Sequence, residues 1–369
     1  MAITPNDNTQ NRNNQYDEKP KKNPLSLQVD MGKFEKATDE EKRQQDVMSE
    51  STTFFRDGMR KLMKNPLAVG SLIVLALVLA TIIIAPHIVP YGYEEIITVN
   101  GKRDKKITNL GPFEYSEKEQ KYIDEGNKLF PHIMGTDSRG RDYFIRVVYG
   151  TRISLIVGLF ASILVLIIGV LYGSISGYLG GRVDLIMMRI VDIIYSLPDL
   201  LIIILLSVVL NEVMSGMKLP GVLNKLGTNM ISIFIVFGLL YWVSMARLVR
   251  GEILKIKNNE YILAAKAVGA SSGRIIRTHI IPNCISVIII TTALQIPSAI
   301  FTESFLSFIG MGVKAPMPSL GSLANAAREG LQSYPLQLVF PAVTIVLIVL
   351  AFNLLGDGLR DAFDPKLRR

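Results

Sequence analysis

The sequence predicts an all-α polytopic membrane protein with six transmembrane helices, and three observations carry that prediction. The chain is 20% charged, yet its mean hydropathy is +0.33. Its apolar residues are gathered into nearly uncharged blocks and are not spread at the period of an amphipathic helix. Six blocks have about the 20 residues that a helix needs to cross a hydrocarbon core of about 30 Å. They lie at 66–85, 153–173, 193–210, 230–246, 284–301 and 337–355.

Residues 1–55 are rich in Asn, Gln, Lys, Glu and Asp and poor in large apolar groups, the composition of a disordered tail. No apolar run precedes Leu67, so no cleavable signal peptide is expected. Residues 56–85 combine a short basic amphipathic segment with the first span. Phe54, Phe55, Met59 and Leu62 are expected to face lipid there, and Pro66 is a favoured first residue for the helix that follows. Residues 86–150 form a long polar connection that closes on HIMGTDSRGRDYFIRVVYGTR. The spacing of Gly135 and Gly140 superficially copies a phosphate loop, but the Lys and Ser/Thr that would hold phosphate and magnesium are absent and no strand precedes it.

Residues 151–360 contain the remaining five spans. GYLGGRVDLIMMRIVD, at 177–192, reads as a short hairpin between the second and third spans. The third span contains Pro198 and Asp199, a kink and an acid at membrane depth. Gln295, Pro297 and Glu303 follow in and just beyond the fifth. Asp199, Gln295 and Glu303 are candidates for a translocation path or gate. The two acids also stand near span ends, where headgroups or an aqueous cavity would solvate them, and both readings remain open. The segment SFLSFIGMGVKAPMPSLGSLANAAREG is too broken by Gly and Pro to span and too apolar for a free loop, so it is expected to be a re-entrant or gating element against the bundle. Asp357, Asp361 and Asp364 alternate with basic residues at the last helix end, and 361–369 is a solvated tail.

Positive charge sets the orientation. Arg56, Arg60, Lys61 and Lys64, then Arg182 and Arg189, the seven Lys/Arg of 247–282, and Arg360, Lys366, Arg368 and Arg369 all fall on one side. The opposite short loops hold only Lys218, Lys225, Lys314 and Arg328. The positive-inside rule then places both termini and the 247–282 loop in the cytoplasm of a cell-membrane protein, and 86–150 outside. The net charge of +8 points to anionic membrane lipid and not to nucleic acid, because no separate basic domain exists to hold DNA or RNA. The single cysteine, Cys284, excludes an intrachain disulfide, and His87, His132 and His279 are too few for a metal cluster. His132 and His279 are read as solvated or packing residues. Neither a nucleotide site nor a nucleophile with its base is evident, so the chain is expected to be no enzyme.

The 247–282 loop is read as two short helices. Asn258 and Asn259 suit an N-cap, Glu260 suits the positive helix start, and Gly269 ends the run that begins at Tyr261. Ser271 and Ser272 suit the start of a second helix toward Pro282. The first helix would be only about 13 Å long, too short to hold alone in water. It needs a partner surface, and Ala264, Ala265 and Gly269 leave one side small enough for another backbone to approach.

The spacing of Ala264, Ala265, Gly269 and Pro282 resembles the signature loop of permease subunits of binding-protein-dependent ABC importers. Four further stretches resemble the oligopeptide, dipeptide and nickel branch, most closely its C-type permease: MGTDSRGRD, GYLGGRVDLIMMRIVD, ESFLSFIGMGV with PSLG, and AFNLLGDGLRDAFDP. The resemblance implies a type I ABC importer permease fold and an ATP-driven importer of peptides, with nickel chelates or glycosides carried by some relatives. It implies a heterodimer with a homologous second permease, two cytoplasmic ATP-binding subunits and an extracytoplasmic peptide-binding protein. ATP and Mg would be bound by the ATPase subunits and no cofactor by this chain. Glu260, Leu263, Ala264, Ala265, Gly269 and Pro282 then form the coupling contact. Leu263 stands where the family carries a glutamate, so that contact is expected to be less polar here or to be carried by the partner permease. The tail and the 93–128 stretch are longer than the family norm. A self-contained secondary transporter or channel is the competing class, but it would show more acids deep in its spans and an internal repeat.

Overall fold

The computed structural model describes residues 54–215, 228–313 and 317–363. The expected disordered tail and the end of the C-terminal tail, residues 1–53 and 364–369, lie outside them. The described chain begins with α1 (Phe54–Leu62) and α2 (Pro66–Ile88). Asn65 fixes the turn between them: its side-chain oxygen accepts from the N–H groups of Leu67 and Ala68 at 3.0 and 3.3 Å, satisfying donors that a helix start leaves unpaired. The face expected to meet lipid is turned partly inward. Leu62 is buried and Phe54 packs on Phe363 with ring centroids 5.5 Å apart, because the C-terminal helix supplies an apolar surface beside it; Phe55 and Met59 remain exposed.

Residues 89–142 carry a two-stranded hairpin, β1 (Thr98–Val99) with β2 (Lys102–Arg103), and α3 (Glu117–Asp124). A fully buried imidazole ties this segment together. His132 meets Glu119 through Nε2 at 3.1 Å and Asp142 through Nδ1 at 3.3 Å. Both carboxylates also serve helix starts: Glu119 accepts from the Ser116 N–H in a capping box, and Asp142 accepts from the Ile145 N–H. Burial works against charge on His132, but hydrogen bonds to Asp142 and Glu119 prevail and push its pKa up to about 9. The packing role expected of His132 is thus ionic.

Helix α4 (Tyr143–Leu179) has 37 residues, about 55 Å at 1.5 Å per residue, and is the longest axis of the bundle together with a later run. It leads into α5 (Gly181–Tyr195) and α6 (Asp199–Ser215), which meet at 86°. Two expectations are corrected here. The 177–192 stretch is the end of α4 and most of a 15-residue helix, not a hairpin, and 193–210 is not one continuous span. Pro198 lacks an N–H and disfavours helical backbone in Leu197, which breaks the chain. One arm of the bend, α5, is held by α8 (Trp242–Ile256), the helix after α7 (Thr228–Leu240), while α6 packs on α7. Asp184 of α5 takes a bidentate pair from Arg250 at 2.5 Å, and Asp192 pairs with Arg247 at 2.7 Å.

α7 and α8 form one 29-residue span interrupted at Tyr241. α8 packs against α4 with almost no clearance. A Cβ on Gly173 would stand 2.5 Å from the Ala246 carbonyl oxygen, so only glycine permits this approach; one turn to either side, a Cβ on Gly169 would stand 2.5 Å from Met245 and one on Gly177 3.1 Å from Ile253.

The chain continues through α9 (Glu260–Ala267), α10 (Ser272–Ile275), a wider π turn (Ile276–Ile280) and α11 (Ile281–Phe308). α12 (Leu320–Arg328) then tucks against the bundle, burying Leu320, Leu323, Ala324 and Ala327, and α13 (Pro335–Phe363) closes it. Among the described residues, five runs are long and apolar enough to cross a membrane; the bent pair α5–α6 brings the number to six when counted as one span.

The solvated reading of Glu303 is overturned. Glu303 is 0% exposed, and its carboxyl accepts from Ser154 of α4 at 2.8 Å and Ser307 at 2.7 Å, with Ser304 at 3.4 Å. α11 runs past it to Phe308, so it lies inside the helix and not at its frayed end. The same serines hold the segment that follows: Ser307 Oγ accepts from the Val313 N–H at 3.0 Å, and Ser154 Oγ from the Leu320 N–H at 3.4 Å.

Two outcomes follow. His132 stabilises the 89–142 segment fully below about pH 6.5, its unfolded pKa, and this contribution is lost as pH rises through about 9. Protection of α3 amides from hydrogen exchange, corrected for intrinsic rates, should fall across that window in the native protein and stay flat in His132→Gln. Glu303→Ala strips buried hydroxyls of their acceptor and should cost about 2 kcal/mol. The buried Cys284, the chain's single cysteine, reports unfolding through thiol labelling, and an unchanged labelling midpoint would refute the network's role.

Candidate functional site

Two places carry the candidate residues. The first is the connection from α8 to α11. Its residues 247–256 are the last turns of α8, and the rest is folded tightly onto the bundle end. Ile262 of α9, Ile275 and Ile280 are each 0% exposed and pack with Val249, Ile253 and Cys284, with Ala265 against the same cluster. Asn259 and Ser271 occupy the N-cap positions as expected, but neither side chain makes a capping hydrogen bond, and packing of the isoleucines holds both helices instead. Gly269 ends α9 with φ +88°, the left-handed backbone that glycine adopts without strain, while open space surrounds it.

Only Ile262 of α9 is fully buried. Glu260, Ala264, Gly269 and Pro282 are exposed, and three large apolar side chains stand outward: Tyr261, Leu263 and Val268, the last 89% exposed. Lys266 is held over the Tyr178 ring at 5.1 Å, fixing α9 to the end of α4. The arrangement is a short, firmly based knob with an apolar crown.

The second place is a cavity of about 290 Å³ between α5, α6, α7, α8 and α11, whose polar lining includes Tyr195, Asp199, Tyr241, Ser244, Gln295 and Ser298. Asp199 and Gln295 therefore line one cavity, whereas Glu303 does not reach this wall. It connects to it through its neighbour: Thr302 shares a hydrogen bond of 2.5 Å with the Tyr241 hydroxyl. Three irregularities surround the cavity: the α5–α6 break, the interruption at Tyr241, and Pro297 inside α11. Tyr241 is the fourteenth residue of a 29-residue apolar run, so the cavity lies within the span and not at an end of the helix. Irregular backbone at such depth is tolerated where it lines a polar space.

Sequence reasoning missed the pairs Asp184–Arg250 and Asp192–Arg247, which lock α5 across α8 just before the loop. The signal was present as spacing: two aspartates eight residues apart, on one face of a helix, opposite two arginines three apart on another.

Comparison with known proteins accounts for this combination. A family model described as binding-protein-dependent transport system inner membrane component matches residues 169–369, and one described as the N-terminal TM domain of oligopeptide transport permease C matches residues 53–112. The oligopeptide transport system permease protein OppC of Bacillus subtilis is 39% identical over 323 residues, 88% of this chain and 93% of that one. The dipeptide transport system permease protein DppC of the same organism is 41% identical over 324 residues, covering 88% and 89%. OppC of Escherichia coli K12 is 38% identical over 319 residues, covering 86% and 93%. The chain is thus a multi-pass membrane protein that belongs to the binding-protein-dependent transport system inner membrane components, with the type I ABC importer permease fold, in the oligopeptide and dipeptide permease C branch.

Proposed function

We propose that this chain is one of two homologous permease subunits forming the membrane part of an ATP-driven importer of oligopeptides or dipeptides. ATP, with Mg, is bound and hydrolysed by two separate subunits in the cytoplasm, and a peptide-binding protein delivers substrate from outside. Both termini and the 258–282 loop face the cytoplasm. The observation that carries the reading is α9 itself: an eight-residue helix with a fixed base and an exposed apolar crown of Tyr261, Leu263 and Val268. A helix so short holds its shape by packing, and its outward face is complete only against another protein.

Closure of the ATPase pair would carry α9 as a rigid body, with Ala264 and Gly269 in the groove, Ala265 packed on the bundle side at its base, and Pro282 and Glu260 at its edges. The seam of glycines joins that movement to α4, and α8 extends it to Tyr241 at the cavity. Asp199 and Gln295 line the path. Glu303, through Ser307 and Ser154, anchors Val313 and the start of α12, which would gate the path from outside. Leu263 makes the ATPase contact apolar where the family pattern is acidic.

In reconstituted transporter, Gly269→Leu should abolish peptide uptake, at least a hundredfold, while ATP hydrolysis continues and membrane insertion is unchanged; retained uptake would sink the coupling assignment. Val268→Asp places a charge in the apolar contact and should weaken co-purification of the ATPase subunits about tenfold, readable by quantitative pull-down from detergent. Equal recovery would move the contact elsewhere.

A further inference from the structure

The cavity that Asp199 lines has a chemistry more specific than a polar passage. Asp199 is the first residue of α6 and exposed at the 86° bend, and among the described residues it has neither a hydrogen-bond partner nor an ion pair. The nearby cations are committed. Arg247 pairs with Asp192 at 2.7 Å and stacks over the Tyr195 ring at 4.1 Å, while Arg250 is held by both oxygens of Asp184. A carboxylate at this depth cannot face hydrocarbon without a penalty of several kcal/mol, so it faces an aqueous space or a positive group.

The rest of the wall fits a peptide end. Gln295 offers both an amide donor and an acceptor, matching a peptide bond, and Ser244 and Ser298 add hydroxyls that serve as either. Tyr195 and Tyr241 supply flat apolar surface with polar edges. The lining contains one acid and no Lys or Arg. A zwitterionic peptide carries one positive group irrespective of its sequence, the α-ammonium at its N-terminus.

We infer that Asp199 is the membrane subsite for the peptide α-ammonium, with Gln295 reading the first peptide bond. This rests on the peptide-importer reading above. It makes the passage selective for free N-termini whatever the side chains, and it assigns discrimination to the membrane as well as to the binding protein.

The test uses the whole transporter in proteoliposomes with its binding protein, and a radiolabelled Ala-Ala-Lys-Ala-Ala peptide in three forms: free, N-terminally acetylated, and acetylated only on the lysine. The ratio of native to Asp199→Asn uptake is taken for each peptide, so the unchanged binding protein's preference cancels. A charge-assisted hydrogen bond lost from the path corresponds to about tenfold. The ratio is expected to be about ten for the free and lysine-acetylated peptides and about one for the N-acetylated peptide, and Asp199→Glu should restore uptake of the free peptide. Equal ratios for all three overturn the inference and assign Asp199 to a cation of the partner permease. A ratio that collapses on lysine acetylation overturns it in favour of a side-chain ammonium. If the native transporter shows no ATP-dependent uptake of any form, the importer reading itself fails, and the inference with it.

Discussion

Hydrocarbon offers no hydrogen-bond partner, and this absence organises the molecule more than any single contact. Every place where the chain stops being a regular helix at membrane depth has to be turned inward. The α5–α6 break, the interruption at Tyr241 and Pro297 accordingly converge on one cavity. Glu303, the most polar side chain in α11, is served by serines from α4 and α11 and by no solvent. A polar cavity is then the by-product of gathering irregularities that lipid would reject.

What could be read from the sequence follows from the same rule. The spans at 66–85, 153–173, 284–301 and 337–355 were legible because lipid demands uninterrupted apolar runs, and the structure extends each of them at its ends, where amphipathic turns continue the helix. The two helices of the loop were legible because Gly269 and the polar cap positions are local signals. The right-angled bend was not. Pro198 announces a kink, but the placement of its two arms depends on ion pairs of α5 with residues 55 and 66 positions away and on packing of α6 against α7, which no local signal reveals. Glu303 was misplaced for a related reason: an acid just after an apolar run reads as a helix end, and the partner that makes it interior, Ser154, is 149 positions distant. Asp199 and Gln295 were individually visible as polar breaks, while their meeting across one cavity depends on the bend that the sequence did not reveal.

The motifs that mark the family acquire separate physical jobs. The 177–192 stretch supplies the aspartates that lock α5 on α8. In the stretch beginning at Glu303, the acid anchors Ser307, and Ser307 anchors the following turn through the Val313 N–H. The tail of α13 receives α1 on Phe363. Met134, Leu320 and Phe352, from three of the family stretches, pack in one hydrophobic cluster, so motifs scattered along the chain close one bundle together.

The glycine seam between α4 and α8 has a mechanical consequence. Helices that meet through backbone at Gly173 cannot slide or roll past each other without collision, so the two behave as a single strut. One end of that strut is continuous with the loop that holds α9, and the other, the start of α4, is clamped through Asp142 to the buried imidazole of the polar domain. Helix α4 is about 55 Å long, so it reaches beyond the hydrocarbon core of about 30 Å that it crosses. Under the proposed coupling, a tilt imposed at one end of this strut would reach the other by geometry alone, as in a push-rod, with no relay of side-chain switches between them.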